Sequence, residues 1–207
     1  MKYLLSTILI LSSFFSFSQQ IEHIEKLELK RKEKKVFNKG DSTVILKIDT
    51  LIMKDKSKLE FFGKKDVKIE IGYAELGKNV IITGQDGKNN ATNFAITASF
   101  YKLESLFILA RGIDAFNGTK TFPNGNGGIV TLSYDSNQIK PQSEDKKAKN
   151  YVFIDVQPGG LRVNPNSEIS QIYSRISMSS PGLRGMPQGQ IYSGSPGKEG
   201  KSEIKAK

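Results

Sequence analysis

The sequence predicts an all-β chain folded as a short parallel β-solenoid, with a β-sandwich or jelly roll as the alternative. Three observations predict it. From Thr43 onward, apolar residues come in short β-branched or aromatic runs bounded by Gly, Asn, Asp or Lys, the pattern of strands. No segment sustains a helical period across three turns. Finally, Gly63-Lys64-Lys65-Asp66-Val67-Lys68-Ile69-Glu70-Ile71-Gly72 is echoed 14 residues later by Gly77-Lys78-Asn79-Val80-Ile81-Ile82-Thr83-Gly84. Short strands with small corners, repeated, are the material of stacked coils. A sandwich prefers strands with a polar outer face, whereas Val80-Ile81-Ile82 and Leu106–Ala110 are apolar on both faces.

Taken in order, the chain divides into four parts. Residues 1–18 read as a signal peptide: Lys2, an apolar run from Tyr3 to Phe17, then Ser16-Phe17-Ser18 before Gln19. Small residues at the first and third positions before the cut place cleavage after Ser18. The run is shorter than the ~20 apolar residues that span a bilayer, so no transmembrane segment is expected after cleavage. Residues 19–42 are a charged lead-in, in which Ile21, Ile24, Leu27 and Leu29 suit either a short helix or a strand. Lys30-Arg31-Lys32-Glu33-Lys34-Lys35 then reads as solvated.

The β-rich domain spans 43–178. Its strand candidates are Val44–Ile48, Leu51–Met53, Leu59–Phe62, Val67–Ile71, Val80–Thr83, Phe94–Ala98, Leu106–Ala110, Ile129–Tyr134 and Tyr151–Val156. Asp86-Gly87, Asn117-Gly118, Asn124-Gly125 and Asn126-Gly127 mark tight turns. Residues 136–150 read as an exposed loop. Residues 179–207 form a Gly/Pro/Lys-rich tail. Its glycines at 182, 185, 189, 194, 197 and 200 slip from a spacing of three, so a collagen helix is ruled out. An extended, polyproline-like or mobile tail is expected, with the last ten residues mobile.

Composition removes whole classes of chemistry. There is no Cys and one His, His23, so thiolate metal sites, disulfides and Cys nucleophiles are gone. His23 lies in the charged lead-in and reads as a solvated side chain. No Gly-x-Ser-x-Gly elbow is present. Carboxylate pairs remain open, because glycoside hydrolysis needs only two acids. Asp66, Glu70 and Glu75 are the candidates, although Asp66 and Glu70 alternate with Val67, Ile69 and Ile71 and so read as a polar strand face. Asp86, Asn89, Asn90 and Asn93, and separately Asp114 and Asn117, are oxygen-rich loops. Each offers calcium only one carboxylate, and turn chemistry is the favoured reading. No catalytic, metal or cofactor-binding residue is assigned.

The net charge is +10, and loss of residues 1–18, whose only charge is Lys2, leaves +9. The cations are mostly Lys. The arginines are Arg31, Arg111, Arg162, Arg175 and Arg184, dispersed rather than clustered as base reading favours. Specific nucleic-acid binding is therefore not expected, while a diffuse positive field attracts anionic surfaces. Tyr101, Tyr134, Tyr151 and Tyr173 are candidates for stacking on sugars.

The segment ending Ser16-Phe17-Ser18-Gln19, the Lys-rich body and the Asn/Gly loops together resemble secreted proteins of Bacteroidota. That resemblance implies export to the periplasm, the cell surface or the exterior. It also makes Asp41-Ser42-Thr43 and Asp49-Thr50-Leu51 resemble the O-glycosylation sequon of such proteins. The expectation is an exported, non-enzymatic, β-rich envelope or surface module that contacts an anionic glycan or an envelope component. The alternatives are a carbohydrate-active protein, lyase or glycosidase-like, using carboxylates, and a structural surface or filament component.

Overall fold

The computed structural model describes residues 21–115, 122–161 and 195–207. The expected signal segment, the Asn117-Gly118 turn, Arg162, Tyr173, Arg175, Arg184 and most of the Gly/Pro-rich stretch lie outside those residues. The described residues form strands and no helix. The strands are β1 (Ile21–Leu29), β2 (Lys34–Phe37), β3 (Thr43–Met53), β4 (Lys58–Phe62), β5 (Asp66–Leu76), β6 (Val80–Gln85), β7 (Asn93–Leu103), β8 (Ser105–Leu109), β9 (Ile129–Tyr134), β10 (Tyr151–Asp155) and β11 (Lys201–Ala206). Odd-numbered strands make one sheet, ordered β1-β3-β5-β7-β9-β11. Even-numbered strands make the other, ordered β10-β8-β6-β4-β2.

Every neighbouring pair is parallel. The chain passes from one sheet to the other and back with each coil, so the fold is a parallel β-solenoid. A hairpin-connected sandwich would give antiparallel neighbours. Ile21 pairs with Ile45, Thr43 with Asp66 and Asp66 with Asn93, so the first coils repeat every 24, 23 and 27 residues. The 14-residue echo therefore joins β5 to β6, the two sides of one coil, and is not the coil repeat.

In-register stacking turns the strand alternation into columns. Leu46, Ile69, Ile96 and Leu132 lie one above another, all but sealed from water. On the second sheet Leu59, Ile82 and Ile108 do the same. Phe61 stacks on Phe37 at 5.0 Å and meets Phe94 edge-on at 5.7 Å, tying the two sheets together.

Two sequence expectations about boundaries need correcting. Residues 21–37 are not a lead-in but the first coil, β1 and β2. They look polar because an end coil has a neighbour on one side only. Glu22 stands in the column of Leu46, and Lys35 in the column of Leu59. Charges aimed inward on an end strand oppose further strand addition. Likewise, the chain end is not a mobile tail: Lys201–Ala206 forms β11 on β9. Only Ile204 within it is half-buried, so its place depends on ladder partners that no local pattern reveals.

Each early coil turns at two corners, and both need positive φ. At the first, Lys32, Lys56 and Asn79 stack with φ of 63°, 60° and 56°. At the second, Gly40, Gly63 and Gly87 have φ of 76°, 70° and 81°. Beside the second corner the Lys64 side chain is buried, its ammonium donating to the Lys39 and Asp41 carbonyls at 2.5 Å each.

In later coils the second corner is replaced by glycine-bearing segments. A hydrogen-bond chain joins four of them to the Asn89 segment beside Gly87: Gly197 N–H donates to the Gly159 carbonyl, Gly159 to Gly125, Gly125 to Ile113 and Ile113 to Asn89. A Cβ on Gly125 would lie 1.7 Å from the Asn89 oxygen, and one on Gly127 1.8 Å from that of Val156. Here glycine serves close approach of backbones, which a turn reading of Asn124-Gly125 and Asn126-Gly127 does not capture.

Candidate functional site

Two surfaces concentrate polar chemistry, and the register builds both. The first is a ridge at the corner between odd and even strands. Segments 30–34, 54–58 and 77–79 stack there through Lys32 N–H to the Asp55 carbonyl at 3.0 Å and Lys56 N–H to the Lys78 carbonyl at 2.8 Å. These segments carry Lys30, Arg31, Lys32, Lys34, Lys54, Lys56, Lys58 and Lys78 against only Glu33 and Asp55. Both carboxylates are engaged by backbone: Glu33 caps Lys30 N–H at 2.7 Å and Asp55 caps Lys78 N–H at 2.9 Å. Lys34 pairs with Glu60 just beyond the corner. Coils repeat about every 4.8 Å along the stack, so the ridge is a line of cations at short, regular spacing.

The second surface is a groove in the outer face of the odd-strand sheet. In β3 the buried residues are Leu46 and Ile48, then Leu51 and Met53. Two consecutive residues, Asp49 and Thr50, therefore face outward and the strand bends. The same skip recurs in β5 at Gly72-Tyr73. The bends stack into a groove of about 500 Å³ lined by Lys47, Asp49, Glu70, Ser99, Asp135 and Lys207 among others. Lys68 donates to Glu70 at 2.8 Å and holds its carboxyl below the ordinary carboxylate range. Tyr73 lies beside the groove, stacked on Tyr101 at 4.3 Å. The Tyr73 hydroxyl donates to Glu75, and this bond raises its pKa.

The sequence candidates distribute as follows. His23 is exposed on β1. Its Nε2 is 2.9 Å from the Asp49 carboxylate, although both side chains are about half exposed. Of the three carboxylates, Glu70 lines the groove, Asp66 lines a smaller separate depression and accepts from Asn93 Nδ2 at 2.8 Å, and Glu75 is bonded to Tyr73. The oxygen-rich loops are satisfied internally. Asp86 accepts from Lys88 and Asn90 amides, and Asp114 from Gly160 N–H at 2.6 Å. Asn89 donates to the Phe122 and Pro123 carbonyls. Tyr101 is exposed, Tyr134 half-buried, and Tyr151 buried against Phe107. Ser42 is exposed before β3, and Thr50 is half-buried within it.

The ridge and Tyr73 are what sequence reasoning missed. The available signal was the recurrence of Leu27-Glu28-Leu29-Lys30 as Leu51-Ile52-Met53-Lys54, 24 residues on, which sets the true coil period. Comparison with known proteins finds no matching family model, no matching curated protein and no matching solved structure. No helix among the described residues is long and apolar enough to cross a membrane.

Proposed function

We propose that this is an exported, non-enzymatic module that holds a linear anionic glycan of the cell envelope along its basic ridge. The stacking of Lys32 over Lys56, amid eight cations and two occupied carboxylates, carries this reading. Backbone conformation supports it. A non-glycine residue at positive φ is strained by roughly 1–2 kcal/mol, and Asn or Gly fits better. Asn79 takes that position in the third coil, yet the first two coils use Lys at φ of 63° and 60°. A fold-driven choice would be Asn throughout, so the two cations serve the surface. Regularly spaced Lys point charges suit a repeating anion better than base reading, which needs planar Arg.

The competing readings draw less support. A glycosidase needs a carboxyl with a raised pKa to donate a proton, and Lys68 pushes that of Glu70 the other way. A filament joined end to end needs apolar end coils, and Glu22 and Lys35 occupy core columns of the first one.

The test uses Lys32→Asn/Lys56→Asn, a charge removal that copies Asn79 and leaves the corner conformation intact. Retention of the secreted chain on immobilised heparin-like glycan is expected to fall several-fold in the variant. Wild-type retention is expected to weaken steeply as salt rises through about 0.15 M, where the screening length is about 8 Å. Equal retention of the two proteins, with the variant melting no lower than the wild type, would sink the reading.

A further inference from the structure

The groove on the odd-strand sheet differs in chemistry from the ridge. Two columns of outward side chains line it. One runs Lys47, Glu70 and Thr97 across successive strands, and the register continues it beyond the groove to Ser133 and Lys205. The other follows the bend, from Asp49 past Gly72 and Ser99 to Asp135 and Lys207. Lys47 and Lys207 face three carboxylates there, Asp49, Glu70 and Asp135. Lys68 bonds Glu70 at 2.8 Å, and His23 bonds Asp49 at 2.9 Å. The lining is therefore nearly balanced in charge, and rich in both donors and acceptors.

The shape is that of a track. Because each column takes one residue from each successive strand, the groove runs across the strands, along the stacking axis, with a step of about 4.8 Å. At Gly72 the two bent strands approach closely, and a Cβ there would lie 3.1 Å from the Asp49 carbonyl oxygen. Beside it lie two stacked tyrosines. Tyr73 follows Gly72 directly, and Tyr101, two residues after Ser99, is 48% exposed. The Tyr73–Glu75 hydrogen bond ties down the inner ring.

We infer that this groove binds a linear neutral polysaccharide, with the sugar chain lying along the stack. Its ligand has to offer hydroxyls to carboxylates and lysines alike, and an apolar ring face to an aromatic platform. Sugars do both, and ligand clefts of ~300–1,000 Å³ are lined by aromatic surface with a few placed polar groups. An anionic chain would meet the three carboxylates, and a purely apolar ligand would leave the polar lining unpaired. The site is independent of the ridge in position, charge and ligand.

The experiment is calorimetric titration of the secreted chain with cellohexaose, laminarihexaose, xylohexaose and chitohexaose, at a salt concentration high enough to screen the ridge. Binding of at least one hexaose is expected, insensitive to salt. Tyr101→Ala, at an exposed position, is expected to weaken it tenfold or more with an unchanged melting temperature. Glu70→Gln is expected to weaken it several-fold, and Lys32→Asn/Lys56→Asn to leave it unchanged. No binding of any of the four, or binding that Tyr101→Ala leaves intact, overturns the inference. Loss of binding in the ridge variant alone would also overturn it, by moving the sugar to the ridge.

Discussion

In the body of the solenoid, Leu46, Ile69, Ile96 and Leu132 stack in one column and shed nearly all contact with water. Among the glycine-bearing segments, Gly197, Gly159, Gly125 and Ile113 are joined by amide-to-carbonyl bonds of 2.8–3.0 Å. The body is held by apolar area, at roughly 25 cal/mol for each Å² removed from water. The glycine segments bring little apolar area and are held by backbone bonds whose net worth is about 1 kcal/mol each. What they gain from lacking side chains is proximity. The contrast shows why one chain uses two compositions: side chains fill a space between sheets, and glycine removes the space between backbones.

The sharpest way to break that contrast is Gly125→Ala. In the glycine segments a methyl would meet the Asn89 carbonyl at 1.7 Å, backbone against backbone, and neither side can rotate away. The cost is expected to exceed about 4 kcal/mol, the tail of measured single substitutions, read as a fall in the urea midpoint. A tolerated Gly125→Ala would mean that the segments do not pack this closely.

The next effect belongs to the body. Ile69→Ala, at a fully buried site, is expected to cost about 2–5 kcal/mol. Lys68→Ala, on the opposite face of the same strand, is expected to stay within about 0.5 kcal/mol. Chemical denaturation of the pair checks this, and similar midpoints would contradict the register of β5.

A third substitution separates glycine's two uses. Gly40 has open space around its Cβ position but a φ of 76°. Gly40→Ala is expected to cost only about 1–2 kcal/mol, the strain of the left-handed conformation. A cost equal to that of Gly125→Ala would erase the distinction between a glycine needed for φ and one needed for proximity.

The smallest effect has the opposite sign. Ser57 is fully buried beneath the ridge, and its hydroxyl has no hydrogen-bond partner among the described residues. An unsatisfied buried hydroxyl is unfavourable, so Ser57→Ala is expected to be neutral or stabilising by up to about 1 kcal/mol. A clear destabilisation in a thermal melt would show that the hydroxyl has a partner after all.

The body was the more legible of the two regions, because alternation in Val67-Lys68-Ile69-Glu70-Ile71 is local: inward residues must be apolar whatever lies above them. The bend escaped notice for a physical reason. Asp49-Thr50 and Gly72-Tyr73 break the alternation by one residue, and in one dimension such a break resembles a loop. Only stacking shows that the breaks coincide and open a groove. The ridge was half legible. Its lysines were evident as a charge run in residues 30–35, but their alignment with Lys54, Lys56 and Lys58 follows from the coil period. The 14-residue echo had masked that period.

By itself, then, the sequence determined the class of fold, the inward residues of the central strands and the absence of thiol chemistry, since these follow from residue type and nearest neighbours. The tertiary structure alone decided that Ile21–Phe37 is a coil and Lys201–Ala206 a strand. It also brought His23 to Asp49 and made the glycines of the later coils a packed bundle. These features depend on backbone partners and column neighbours 12 to 72 residues away. The hydrogen-bonding groups concerned are common to every residue, so composition carries no mark of which ones will meet.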